Sequence, residues 1–178
     1  MHKVLFLCTG NSARSVIGEV LLNDLGEGTH QAYSAGSKPV GKVNPGALAV
    51  LAAHGHKLDG LSSKSWDAFS GADAPQIDTV VTVCDNAAAE TCPVWNGAPE
   101  TLHWGLPDPA AVEDDVERAA AFESTYADLR ARISQFLGEN QHVWACSWPK
   151  TGCRSCRHSA AAYDSRWFRH HGRESRGR

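Results

Sequence analysis

The chain has 178 residues, 42% of them hydrophobic, with a formal net charge of −3, which suits one domain with a real core because domains of roughly 100–150 residues are commonest. Residues 1–137 carry 9 Lys and Arg against 17 Asp and Glu, whereas residues 138–178 carry 8 against 3; an acidic body argues against a nucleic-acid groove. No run of about 18 apolar residues is present to span a bilayer, and no signal-peptide pattern precedes the first apolar stretch, so a cytoplasmic location is expected. The six cysteines then point to chemistry rather than to a structural disulfide framework.

Residues 3–7 form a short, continuous apolar run rich in strand formers, read as a buried parallel strand that ends at Cys8. After a small, polar stretch, Val16, Ile17, Val20, Leu21 and Leu25 recur at helical spacing, which predicts a helix from about Ser15 to Gly26. Residues 30–35 read as a strand, 45–54 as an amphipathic helix, 77–83 as another fully apolar strand and 101–104 as a fourth strand. Over 112–137, Val116, Ala119, Phe122, Tyr126, Leu129, Ile133 and Phe136 mark one face of a long helix. Alternating strands and helices predict an α/β, three-layer fold with a short four-stranded parallel sheet flanked by helices. Ligands bind such sheets outside the carboxyl ends of the strands. Cys8 and Cys84 both end a predicted strand and so share that rim.

Past Gly138 the apolar periodicity stops. The expected organisation is a domain over 1–137 and a basic, Cys-, Arg- and Trp-containing extension over 138–178 that buries little and is disordered. Cys146, Cys153, Cys156 and His158 lie there without the compact apolar support of a zinc knuckle, so no metal is expected.

The segment from Cys8 to Arg14 carries the strongest functional signal. A loop that closes on a helix N-terminus aims several backbone N–H groups at one point, and the helix dipole adds partial positive charge. Thr9, Gly10, Asn11, Ser12, Ala13, Arg14 and Ser15 would form such a cradle for a tetrahedral oxyanion. A cysteine at its start is favoured as the nucleophilic thiolate by the same donors, and an arginine at its end offers a planar fork for two oxyanion oxygens. Ser12 and Ser15 are candidate donors to the thiolate, or helix caps. The competing reading is a core cysteine at a strand end with Arg14 solvated.

Val4 to Ser15 resembles the opening of the arsenate reductases built on the low-molecular-weight protein tyrosine phosphatase fold. The resemblance continues through Tyr33-Ser34-Ala35-Gly36-Ser37, Asn44-Pro45, Val83-Cys84-Asp85, Thr91-Cys92-Pro93 and His103-Trp104-Gly105-Leu106-Pro107-Asp108-Pro109. It implies that Cys8 attacks arsenate, that Cys84 attacks the arsenylated Cys8 to release arsenite, and that Cys92 attacks Cys84. The final disulfide would pass to thioredoxin or a glutaredoxin-like reductant. Asp108, aimed by its flanking prolines, would protonate the leaving oxygen. Phosphate, alike in shape and charge, would compete. No tightly bound cofactor is implied, although Asn11, Glu19 and Ser34 match positions that in some relatives help hold a monovalent cation beneath the loop.

Two other readings use the same residues. A phosphatase would employ Cys8, Arg14 and Asp108 without a redox cycle, leaving Cys84 and Cys92 without a task. An oxyanion- or arsenite-binding module would hold trivalent arsenic on thiols without turnover.

Overall fold

The order of the sheet follows from which strands can tolerate burial on both faces. Val4, Leu5, Phe6 and Leu7 are completely buried, so the strand that carries them must be central. A computed structural model describes residues 1–71, 73–89, 95 and 99–145, with side chains as far as 138 except at 88 and 89. It contains β1 (His2–Cys8), α1 (Arg14–Leu25), β2 (His30–Gly36), α2 (Pro45–Ala53), β3 (Thr79–Thr82), α3 (Asp85–Ala89), β4 (Glu100–His103) and α4 (Asp115–Ala145), with 3-10 turns at Trp66–Phe69 and Pro109–Ala111. The four strands run parallel in the order β2-β1-β3-β4. This is the expected α/β arrangement.

Side chains alternate across β1. Val4, Phe6 and Cys8 pack with α1, α2 and α4 through Ile17, Leu21, Leu51, Phe122, Leu129 and Ile133. Leu5 and Leu7 pack on the other side with Ala35, Phe69, Ile77 and Val80. Each buried Val, Leu, Ile or Phe among them contributes about 1.5–3 kcal/mol. Helix α1 lies close to the sheet at Gly18, where an added Cβ would sit 2.8 Å from the Phe6 ring. Helix α2 starts with Asn44 as N-cap, its Oδ1 accepting from the Gly46 N–H at 2.8 Å, and Pro45 in the first turn, a sequence suited to initiation.

Three local differences from the sequence reading have simple causes. β3 is shorter than the apolar run because Asp78 already turns its carboxylate to the Lys3 N–H at 2.8 Å. A short helix, α3, follows β3 in a segment to which the sequence reading assigned no element; alanine is the best helix former, and Asp85 in the first turn complements the helix dipole. α4 runs on to Ala145, past the end of its apolar spacing. Met1–His142 form one compact unit, to which the sheet and the site belong. Residues 146–178, with Cys146, Cys153, Cys156 and His158, lie outside the described residues. Among the described residues no helix is long and apolar enough to cross a membrane.

Candidate active site at the carboxyl end of the sheet

The loop after β1 is shaped from outside. Three of its carbonyls are held by neighbouring segments: Thr9 O accepts from the Lys38 N–H at 2.9 Å, Gly10 O from the Val40 N–H at 3.1 Å and Ser12 O from the Asn44 N–H at 2.8 Å, while Ala13 O takes the first helical bond of α1, from the Ile17 N–H at 3.0 Å. The Ser63 hydroxyl also donates to Gly10 O at 3.2 Å. With its carbonyls engaged by the scaffold, the loop leaves its N–H edge for the centre. Gly36 makes the fit possible, because a Cβ there would lie 2.5 Å from Thr9 O and 2.9 Å from Asn11 N.

Cys8 is buried at that centre. Its Sγ accepts from the Asn11 N–H at 3.1 Å and lies 2.9 Å from the Ser15 hydroxyl. Of the two candidate serines, Ser15 therefore meets the sulfur, whereas Ser12 contributes its carbonyl to the scaffold. Asn11 adopts a φ of 42°, a left-handed conformation that a non-glycine residue keeps only when its surroundings fix it. Its buried side chain donates to Ser15 at 3.0 Å and to Ser34 at 2.9 Å and accepts from the Lys64 N–H at 2.6 Å.

Arg14 begins α1 and turns its guanidinium to the same rim. One terminal nitrogen donates to Leu106 O at 2.8 Å, and the other meets Asp108 Oδ2 at 3.1 Å. Its Nε is buried without a hydrogen-bond partner. The second Asp108 oxygen accepts from the Ala110 N–H at 3.1 Å, which fixes the carboxylate as cap of the Pro109–Ala111 turn. Asp108 thus arrives at the loop already aimed.

Cys84, also buried and unpaired, follows β3 at the start of α3. Its Sγ lies 3.7 Å from the Thr9 hydroxyl and 3.4 Å from the Ala87 N–H. Parallel pairing of β1 with β3 places Leu7 beside Thr82, so both cysteines emerge on one edge. Asp85, the next residue, meets His103 Nε2 at 3.2 Å, and His103 Nδ1 meets the Thr82 hydroxyl at 2.8 Å. Cys8, Arg14, Cys84 and Asp108 are therefore brought together; Cys92 lies outside the described residues.

Two other histidines, His54 and His56, pack against α4 instead. His54 stacks on Tyr126 at 3.9 Å between ring centroids, and His56 hydrogen-bonds the Tyr126 hydroxyl; burial is the main reason the Tyr126 phenol is pushed up from its ordinary value. Tyr33 is likewise pushed up, by burial first and by the Glu19 carboxylate second. Trp66 and Trp95 meet edge to face at 6.5 Å, and Trp104 packs on Phe6 at 5.9 Å, as packing residues should. Sequence reasoning gave no role to Gly36 and Asn44, although both stand in the motifs that carry the resemblance, and missed Lys64. Gly36 ends a strand and Asn44 precedes a helix-starting proline, both visible signals, but nothing marks Lys64 among the serines around it.

A parallel sheet presenting a nucleophile–arginine loop at a helix N-terminus defines a class of oxyanion-handling enzymes. Residues 3–144 match the low molecular weight phosphotyrosine protein phosphatase family, and the chain belongs to that family. Within it, the arsenate reductase of Halalkalibacterium halodurans is 35% identical over 134 residues, 75% of this chain and 93% of that protein. The arsenate reductase of Archaeoglobus fulgidus superposes with a TM-score of 0.59 at 27% identity, covering 76% of this chain and 98% of that one. A thioredoxin-dependent arsenate reductase of Corynebacterium glutamicum shares the fold, with a TM-score of 0.60 at 23% identity, covering 80% of this chain and 63% of that one.

Proposed function

We propose that this protein is an arsenate reductase, and that the carrying observation is a second free, buried cysteine, Cys84, linked through Thr9 to the loop that holds Cys8. A phosphatase needs one cysteine because water regenerates it; reduction of arsenate consumes two electrons and requires a second thiol in reach. The names of the relatives support the same reading.

In this mechanism the loop N–H groups and Arg14 bind arsenate, and the Cys8 thiolate attacks arsenic. Water leaves with a proton from Asp108. The Cys84 thiolate then attacks Cys8 Sγ; the new S–S bond forms as the S–As bond breaks, and its electron pair stays on arsenic, which departs as arsenite. Cys92 attacks Cys84 Sγ, releasing Cys8 and leaving a Cys84–Cys92 disulfide for an external dithiol of the thioredoxin or glutaredoxin kind. No bound cofactor is required, and phosphate competes for the loop. Residues 1–137 carry this activity in the cytoplasm, with 138–178 as a non-catalytic basic extension.

The family match itself favours one other reading, hydrolysis of phosphotyrosine or small phosphate esters by Cys8, Arg14 and Asp108. Ala110 and Ala111 after the Asp-Pro pair offer no aromatic wall for a substrate ring. The deciding experiment follows arsenite formation by wild type, Cys84→Ser and Cys92→Ser with thioredoxin, its reductase and NADPH, and assays aryl phosphate hydrolysis in parallel. Turnover by wild type alone, with both variants stopping after one cycle or fewer, upholds the relay. Equal ester cleavage by all three proteins without arsenite from any thiol donor overturns it in favour of the phosphatase.

A further inference from the structure

Beneath the anion loop lies a closed ring of hydrogen bonds that begins and ends on Lys64. Its backbone N–H donates to Asn11 Oδ1 at 2.6 Å, and because a backbone N–H can only donate, the orientation of the Asn11 amide is settled. Asn11 Nδ2 therefore donates to Ser34 Oγ at 2.9 Å, and the Ser34 hydroxyl passes its own hydrogen to Glu19 Oε2 at 2.5 Å. Lys64 Nζ closes the ring at 3.4 and 3.5 Å from the two Glu19 oxygens. The same amide donates to Ser15 Oγ at 3.0 Å, which leaves the Ser15 hydrogen for Cys8 Sγ at 2.9 Å.

The monovalent cation suggested by Asn11, Glu19 and Ser34 does not fit this arrangement. Such an ion needs converging lone pairs, but Asn11 turns its NH2 toward Ser34, Ser34 accepts from it, and both Glu19 oxygens face the Lys64 ammonium. Asn11, Ser15 and Ser34 are fully buried, and the Glu19 and Lys64 side chains are 14% and 29% exposed. In that setting an uncompensated Glu19 charge would disfavour a second anion above it.

We propose that Lys64 is a positioning residue for Cys8, its tethered ammonium taking the place of a free cation: the ammonium neutralises Glu19, which keeps the Glu19–Ser34–Asn11 chain in place, while the Lys64 backbone N–H holds the Asn11 amide, so that Ser15 and the Asn11 N–H both point at the sulfur. This rests on the reading of Cys8 as the nucleophile, but its test needs no arsenate.

The test measures alkylation of Cys8 by iodoacetamide, a neutral reagent, at pH 7, with peptide mass spectrometry separating Cys8 from Cys84. Wild type, Lys64→Met, Lys64→Arg, Glu19→Gln and the double variant Lys64→Met/Glu19→Gln are compared in potassium and in choline buffers of equal ionic strength. Lys64→Met is expected to slow Cys8 by at least about threefold, the low end of coupling within one hydrogen-bond network. Lys64→Arg restores the rate, and so does the double variant, since removing Glu19's charge removes the need for a counter-ion. Wild type reacts equally in both buffers. A wild-type rate in Lys64→Met, a double variant slower than either single one, or a wild-type rate that depends on potassium overturns the proposal. If the alkylation pattern holds while arsenate is not reduced, the reductase reading fails and the role of Lys64 stands.

Discussion

The two cysteine-bearing turns at the rim are built to opposite specifications. Around Cys8, three loop carbonyls are tied to the scaffold and the Asn11 side chain makes three hydrogen bonds. Around Cys84, the turn is a five-residue helix whose first residue is clasped by His103 in a pair with side chains 89% and 46% exposed. In the proposed relay, a nucleophile that meets a small oxyanion gains from a fixed geometry, whereas a thiol that carries a disulfide outward has to leave its place. Local stability is accordingly expected to be high at one turn and low at the other.

The contrast can be broken most severely at the rigid turn. Arg14→Lys, which keeps the charge but loses the planar fork, is expected to lower arsenate reduction by about 10²–10³-fold, the cost of losing one well-placed oxyanion donor; steady-state arsenite release checks this. Gly36→Ala forces a Cβ against Thr9 O and Asn11 N. It is expected to destabilise the protein by about 1–3 kcal/mol and to weaken phosphate binding, read from urea unfolding with and without phosphate.

At the turn after Cys84 a smaller change tests the same contrast. His103→Ala removes an exposed pair with a global stability value of about 0–1 kcal/mol, yet it should accelerate amide hydrogen exchange over 85–89 while leaving exchange in the 9–13 loop unchanged. Equal acceleration in both segments would remove the distinction drawn here.

The smallest effect lies far from the rim, at His30, which packs against His2 and Phe136 at 5.3 and 5.7 Å. Burial, then the nearby His2 and the N-terminal amine, hold its pKa below the ordinary 6.5. The folded state therefore resists protonation more than the unfolded chain does. Stability from neutral His30 is fully present above about pH 6.5 and declines as pH falls through the lowered folded value. His30→Phe should flatten this acid-side decline in urea midpoints between pH 7.5 and 5.5.

The core strands were legible because β1 and β3 are apolar on both faces, which only a central strand of a covered sheet explains. Cys8 and Arg14 were legible because strand, small-residue loop and helix occur in immediate succession. The supporting shell was not. Lys64 reaches Asn11 and Glu19 across 53 and 45 residues, and no local spacing encodes a meeting at that distance. α3 was obscured for the opposite reason: runs of alanine suit both a pliable loop and a helix, and only the packed start after β3 decides.

The outside grip on the loop also bears on what could be transplanted. The residues that hold its carbonyls come from Lys38, Val40, Asn44 and Ser63, on the connection from β2 into α2 and the stretch ahead of the Trp66–Phe69 turn. The heptapeptide from Cys8 to Arg14, grafted alone between a strand and a helix of another protein, would keep its spelling and lose its curvature. The heritable unit is the loop together with its distant collar, and a working graft would have to carry both.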